Sequence, residues 1–267
     1  MASDFNSLYY RQEQYEEITQ IIQQCRSIGF DSYILADPAL LVYLRKEKID
    51  CEVHLSGDLG TVNSAMTEVF AKEYPKRIIF QRKNTISEMR AVIRHITAQK
   101  EAARKEWTYP TEFEAFALNE LCQFSGAFCN SLHCDEMGYL CRVPYWKKPM
   151  SFSESKLEKQ EKNRPGENIS ISEWDSASEL MNPVSEDGYL CGATGCGLCT
   201  LKQLSDAGIT HLKLVGRGNY TDFMERDIRN LRRTLEILED SSTEEEYIRA
   251  MKAELFPNGC SHMCYVR

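Results

Sequence analysis

The stretch SYILADPALLVYLRKEKIDCEVHLS, residues 32–56, decides the fold class of this chain. Two short apolar runs enclose a segment in which Asp37 can cap a helix and Pro38 suits its first turn. Short strands separated by roughly a dozen residues of helical pattern form strand-helix-strand units with parallel strands. The sequence therefore predicts an α/β protein built on a parallel sheet.

The same alternation continues on both sides of this stretch. Upstream, a helix is predicted to end at Gly29, a usual helix terminator, and its inward face is formed by Ile18, Ile21, Ile22 and Cys25. Downstream, Thr85 and Glu88 have capping-box spacing and open another helix. The remaining predicted elements here are a helix near 61–74, the strand RIIFQ at 77–81 and the strand EFEAFAL at 112–118.

Periodicity fails between residues 142 and 187 and returns after them. A short helix in CTLKQLSDAG is followed by a last strand, THLKLVG, and then by two helices. Thr243 and Glu246 open the final helix by the capping-box rule. For the helix before it, the sequence predicts one inward apolar stripe, formed by Phe223, Met224, Ile228, Leu231, Leu235 and Leu238. In such folds functional loops follow the carboxyl ends of strands, here ILAD, HLSG, IFQR, FALN and KLVG.

Composition restricts the class of protein. The net charge of −8 disfavours a large nucleic-acid surface. No run of about 18 apolar residues is present, and the first residues do not resemble a signal peptide, so we expect a cytoplasmic location without a membrane span. In a reducing compartment, eleven cysteines favour metal or redox chemistry over disulfides.

Seven of these cysteines lie in two segments. ELCQFSGAFCNSLHCDEMGYLCR, residues 120–142, contains Cys122, Cys129, Cys134 and Cys141, and the second segment contains Cys191, Cys196 and Cys199. Thiolates on loops suit zinc or an iron-sulfur cluster. Zinc sites usually use two close C-x2-C pairs, and only the last two cysteines form one. Spacing therefore favours a cluster, with zinc and unliganded thiols as the alternatives.

The passage EFEAFALNELCQFSGAFC, residues 112–129, resembles the hallmark of the collagenase-like peptidase family of unassigned catalytic type. ADPALL, VHLSG, RPGENISI and CTLKQLSDAGITHLKLVGRG follow the order of the same family. The resemblance implies a barrel-like α/β fold with a four-iron four-sulfur cluster on four cysteines. It also implies kinship with oxygen-independent hydroxylases of ubiquinone precursors, transfer RNA and ribosomal RNA, and with collagen-degrading members.

Carried over by position, the resemblance implies Cys122 and Cys129 as the first two cluster ligands and Cys199 as the fourth. Cys141, which precedes an arginine, is preferred as the third, with Cys134 as the alternate. Cys191 and Cys196 are additional in this sequence and remain alternates for the fourth position.

Other side chains are candidates for substrate contact or redox chemistry. His54 and Ser56, which we expect on the loop after a strand, could contact substrate. For His54, an equal alternative is a structural histidine whose hydrogen bonds are satisfied at a strand end. Arg217, after the last strand, could contact an anion. Cys260 and Cys264 lie four residues apart on what we expect to be one helical turn. They could bind metal in an oligomer, but a frayed, redox-active segment is the favoured interpretation.

The resemblance also implies an organisation for the whole chain. We expect a partial TIM-barrel-like set of βα repeats in residues 1–119, a cysteine-rich cluster-binding excursion in 120–200, and a last βα unit with C-terminal helices in 201–267. Compared with the family pattern, we expect the chain to start at the end of the third barrel strand. The open edge could be covered by a partner, either a second family member or another copy of the chain, or by the chain's own C-terminal helices, or the sequence could be truncated.

The expected function is oxygen-independent hydroxylation of an aromatic or nucleobase-type substrate, with a small aromatic molecule favoured over nucleic acid. Two polar positions typical of the family are changed, because residues 117–119 read ALN and residues 215–217 read VGR. These changes favour a second hypothesis, a noncatalytic cluster-bearing subunit that completes a partner. A peptidase and a zinc-stabilised binding module are the remaining alternatives.

Overall fold

A computed structural model describes residues 11–60, 63–102, 112–119, 188–216 and 220–265. Five parallel strands pair in sequence order and curl into a half-barrel, with helices between them. The strands are β1 (Ser32–Leu35), β2 (Glu52–Leu55), β3 (Arg77–Ile79), β4 (Glu112–Leu118) and β5 (His211–Leu214). The helices are α1 (Gln12–Ser27), α2 (Pro38–Lys46), α3 (Ser64–Ala71), α4 (Ile86–Ala102), α5 (Leu201–Ala207), α6 (Thr221–Asp240) and α7 (Glu244–Leu255). The predicted α/β class and partial barrel are confirmed.

Local capping chemistry fixes where the helices begin. The Ala39 amide donates to Asp37 Oδ1 over 2.8 Å at the start of α2. At the start of α4, the Thr85 amide donates to Glu88 Oε2 over 2.8 Å, and the Glu88 amide donates to Thr85 Oγ1 over 3.2 Å. These bonds satisfy backbone donors that have no partner inside the helix. The helix starts predicted at these positions are confirmed.

The sheet has two different faces. Side chains such as Leu35, Val53 and Ile78 point toward the helices and form the main apolar core. The opposite, concave face contains a smaller apolar cluster of Ile79 and Phe116 with Tyr265. Because successive strand side chains alternate between faces, each strand contributes to both. No helix in the described ranges is long and apolar enough to cross a membrane.

The inward faces of two helices differ from the prediction. In α1, Ile21 is 47% exposed, whereas the neighbouring predicted residues Ile18 and Ile22 are buried. In α6 the predicted apolar stripe is inward only in part, because Leu231 is buried but Ile228 is 53% exposed. The other stripe residue that proves exposed is Leu235, and the buried residues of α6 are Asp227, Leu231, Thr234 and Ile237.

Hydrogen bonding explains the change of face in α6. The Thr234 hydroxyl donates to the Asn230 carbonyl over 2.7 Å, and Asp227 accepts two hydrogen bonds from other segments. A polar side chain can be buried once its hydrogen bonds are satisfied. A pattern based on apolar residues alone therefore misplaced part of the inward face.

The last described stretch, residues 256–265, is called the closing segment below. It is not the frayed helical turn that the sequence analysis favoured. The Cys196 amide donates to the Met263 carbonyl over 2.8 Å, and the Tyr265 amide donates to the Cys196 carbonyl over 2.9 Å. The closing segment therefore pairs as a short parallel strand, with Cys264 opposite Cys196.

The Asp37 cap generates a prediction about stability. Replacing Asp37 with Ala removes the hydrogen bond to Ala39 and a second one, over 3.1 Å, from the Tyr15 hydroxyl. We expect the free energy of unfolding to fall by about 1–2 kcal/mol in urea denaturation. Asp50→Ala is the control, because Asp50 is almost fully exposed and its surface ion pair with Arg26 should contribute little. Equal losses in the two variants would contradict the assignment.

Candidate functional site

The cysteine-bearing loop 188–197 is attached to the carboxyl end of β4. Leu118 and Cys196 form an antiparallel bridge. The Asn119 amide donates to the Gly195 carbonyl over 2.8 Å, and the Gly197 amide donates to the Ala117 carbonyl over the same distance. Gly197 permits this approach, since a Cβ there would lie 3.1 Å from the Phe116 carbonyl. The loop is therefore fixed beside the strand end from which the chain continues to Cys122.

The closing segment covers the other side of the same loop. In addition to its pairing with Cys196, the Ser261 hydroxyl donates to the Gly192 carbonyl over 2.7 Å. The Tyr265 hydroxyl donates to the carbonyl of Asn119. Three segments far apart in sequence therefore meet at the end of β4.

Four cysteines belong to these meeting segments, and a fifth, Cys199, lies in the turn that follows loop 188–197. Cys191 is buried, whereas Cys196, Cys199, Cys260 and Cys264 are half-buried, and all are free thiols. Burial raises the pKa of Cys191 to about 11, and burial is also the main cause of the raised pKa values of Cys196 and Cys199. Without a bound cation, Cys191, Cys196 and Cys199 hold their protons at neutral pH.

The described thiols do not by themselves form a metal site. Within the part of the chain that the structure describes, no three His, Cys, Asp or Glu side chains are close enough to hold a metal ion. Of the predicted ligands, only Cys199 and the alternates Cys191 and Cys196 can be placed. The other predicted site residues, Cys122, Cys129, Cys134, Cys141 and Arg217, lie outside the described residues and stay predictions.

A buried polar network supports this end of the sheet. Asp227 on α6 is 3% exposed and accepts from Asn119 Nδ2 over 2.6 Å and from the Tyr189 hydroxyl over 3.0 Å. Asn230 Nδ2 donates to the same Tyr189 oxygen over 2.6 Å. Burial raises the pKa of Asp227, although its two hydrogen bonds oppose that shift. The network joins β4, the cysteine loop and α6.

Sequence reasoning missed Asp227. A signal was present, because Asp227 lies four residues from both Phe223 and Leu231, at a position that faces inward if they do. An acidic side chain at such a position either accepts hydrogen bonds from buried donors, or the helix rotates about its axis so that the side chain faces solvent. Here it finds donors from two other segments.

The two catalytic candidates that can be placed have structural partners. His54 lies within β2, and not on the loop as predicted, and its Nε2 is 2.9 Å from Glu52 Oε1. Burial lowers the pKa of His54, so this contact is a hydrogen bond from a neutral ring. Ser56 follows β2 and accepts from the Asp58 amide over 3.2 Å, which caps the turn after it. These contacts favour the structural interpretation of both residues.

His54 belongs to a charged network on the amino-terminal half of the concave face. Arg77 on β3 contacts Glu112 over 2.7 Å and Glu114 over 2.8 Å, and Lys76 contacts Glu52 over 3.0 Å. Burial disfavours ionisation of Glu52, but hydrogen bonds from Lys76, Ser32 and His54 outweigh it and lower its pKa to about 2. The acids and bases of this half neutralise one another.

The carboxyl-terminal half of the concave face differs. The guanidinium carbon of Arg82, in the loop after β3, lies 4.0 Å from the ring centre of Phe116. Lys213 Nζ on β5 lies 5.5 Å from the same centre. The sequence analysis named the loop IFQR as a functional position but did not single out Arg82.

The conformation of Asn119 leads to a two-variant prediction. Its φ is +69°, a left-handed value that disfavours residues with a Cβ, and its side chain donates to buried Asp227. We expect Asn119→Gly to lower the free energy of unfolding by about 1–3 kcal/mol through the lost hydrogen bond, and Asn119→Ala to lower it by about 1 kcal/mol more. Urea denaturation measures both. If the alanine variant were as stable as the glycine variant, the left-handed backbone conformation of residue 119 would not contribute to the stability difference.

The lowered pKa of His54 predicts a pH dependence of stability. As the pH falls below 6.5, the unfolded chain takes up the proton before the folded protein does, so protonation favours unfolding. In His54→Gln this contribution is absent. We therefore expect the native protein to lose more stability than the variant between about pH 7 and about pH 5.5, measured by urea denaturation. Parallel losses would show that His54 does not titrate in this range.

Comparison with known proteins agrees with this architecture. A model of peptidase family U32 matches residues 4–266, which is almost the whole chain. Neither the curated proteins nor the solved structures gave a match. Since the family match includes all five strands and both cysteine segments, the chain belongs to peptidase family U32, the collagenase-like family.

Proposed function

We propose that the chain is an iron-sulfur protein that hydroxylates a small aromatic substrate without dioxygen. The observation that supports this proposal is the attachment of loop 188–197 to the end of β4, only a few residues before Cys122. Loop 188–197 is therefore held beside the strand end from which the chain leads to Cys122, which accords with the prediction that thiols of the two segments act together. A location in the reducing cytoplasm accords with the free thiols.

The chemistry of the donors fits an iron-sulfur cluster. Burial raises the pKa values of Cys191, Cys196 and Cys199, which keeps these thiols protonated unless a soft cation displaces the protons. Because they do not form a set of three, ligation also needs the preceding segment. Cys122, Cys129, Cys141 and Cys199 would hold the cluster, with Cys134, Cys191 and Cys196 as alternates. When bound, the cluster would supply one-electron chemistry or, at an iron without a protein ligand, a Lewis-acidic position.

The residues around the thiols provide support and exclude water. Asp227 holds Asn119 and Tyr189 in place, and Tyr265 of the closing segment binds the carbonyl at the strand end. Such contacts orient ligand-bearing loops and restrict solvent access, two factors that tune a metal centre. These residues are positioning residues and do not themselves react.

A second candidate is a noncatalytic cluster-bearing subunit that completes another family member or a second copy of the chain. It is favoured by the charged network described above, in which Glu52, Glu112 and Glu114 all pair with cations. None of these three is free to act as a general base. The same observation disfavours a peptidase, the role in the family label, and the sequence contains neither H-E-x-x-H nor G-x-S-x-G.

Metal analysis of protein purified without oxygen tests the proposal. We expect about four irons and four sulfides per chain, with absorbance near 400 nm. Cys122→Ala, Cys129→Ala, Cys141→Ala and Cys199→Ala should each lose most of the iron, because a cluster needs all its ligands. Cys25→Ala is the matched control, since Cys25 lies on α1, packs against the core and should not affect iron content.

The outcomes separate the candidates. A single zinc, or no metal after reconstitution with iron and sulfide, would overturn the cluster proposal. Iron and sulfide without electron transfer or substrate conversion, in the chain alone, would favour the noncatalytic subunit.

A further inference from the structure

We propose that the concave face binds a small organic oxyanion, a carboxylate or a phosphate group, at Arg82 and Lys213. Both cations lie over the ring of Phe116, at 4.0 Å and 5.5 Å from its centre. Neither cation is a predicted cluster ligand, and Phe116 packs against Tyr265 of the closing segment.

The charges of the concave face are distributed unevenly. In its amino-terminal half, Lys76 and Arg77 each contact two carboxylates. In its carboxyl-terminal half, neither Arg82 nor Lys213 makes an ion pair with any of the described residues. The same surface therefore changes from balanced charge to an excess of positive charge.

A buried donor in the loop after β3 also lacks a partner. Arg82 Nε is shielded from solvent and makes no hydrogen bond with the described residues. Buried polar groups are nearly always hydrogen-bonded, and leaving one without a partner is unfavourable. An oxyanion would supply the acceptor that this N–H lacks.

The location of the cations agrees with a binding role. Arg82 follows β3, and Lys213 is in register with Phe116 on β4. Ligands of parallel α/β folds bind at the carboxyl ends of strands. A guanidinium stacked on a ring keeps its edge free for the paired oxygens of a carboxylate or phosphate.

Electrostatic repulsion between the two cations also favours binding of an anion. Two like charges held near one ring repel each other, and a bound anion offsets that repulsion. The Phe116 ring, which is itself 8% exposed, keeps water from one side of the cations and strengthens the interaction.

Calorimetric titration of the full-length chain with benzoate and, separately, with inorganic phosphate tests the proposal. Benzamide is the neutral control probe. We expect at least one anion to bind, and Arg82→Gln and Lys213→Met each to weaken it by about tenfold or more. Arg82→Lys should recover part of the affinity. Arg94→Gln is the matched control, because Arg94 is exposed on α4 and should leave binding unchanged.

Benzoate binding with this variant pattern would identify a carboxylate site, and phosphate binding with the same pattern would identify a phosphate site. Failure of both anions to bind the native chain would overturn the proposal, as would equal affinities in all variants or equal binding of benzamide. Since the titration does not involve iron, its failure would not bear on the cluster, and absence of a cluster would not affect it.

Discussion

The backbone pairing around Cys196 is the constraint on which the candidate site depends. On one side its neighbours bond to the end of β4, and on the other side Cys196 itself bonds to the closing segment. Buried amide and carbonyl groups have no water to replace these partners, so the arrangement is costly to break. The positions of the thiols follow from backbone geometry rather than from contacts between the sulfur atoms.

The two halves of the concave face differ in charge: one half has paired acids and bases, and the other half has cations without paired acids. Near the amino ends of the strands, alternating acids and bases from β2, β3 and β4 satisfy one another across the ladder. Near the carboxyl ends, the corresponding positions are the apolar residues Phe116 and Ile79, so Arg82 and Lys213 have no acidic partner among the described residues there. The alternation of strand side chains creates this layering, because every second residue faces the same side.

Much of the fold could be predicted, because capping residues and strand-helix alternation are local signals. Asp37, Thr85 and Thr243 each begin a helix as predicted. The inward face of α6 was not predictable from apolar periodicity, since Asp227 is buried by donors distant in sequence. The pairing of Cys264 with Cys196 was equally hidden, because a short parallel contact between irregular segments leaves no periodic pattern. Residues 122–141 carry most of the predicted ligands, which remain predictions.

The hydroxyl contact between Tyr265 and Asn119 joins positions 146 residues apart. Contacts of such long range form only after the chain has closed a large loop, and topologies rich in them fold slowly. The strands and helices between them can form earlier from local signals. The cysteine loop is therefore expected to reach its final place among the last steps of folding, so its thiols would stay accessible to metal or oxidant until the closing segment docks.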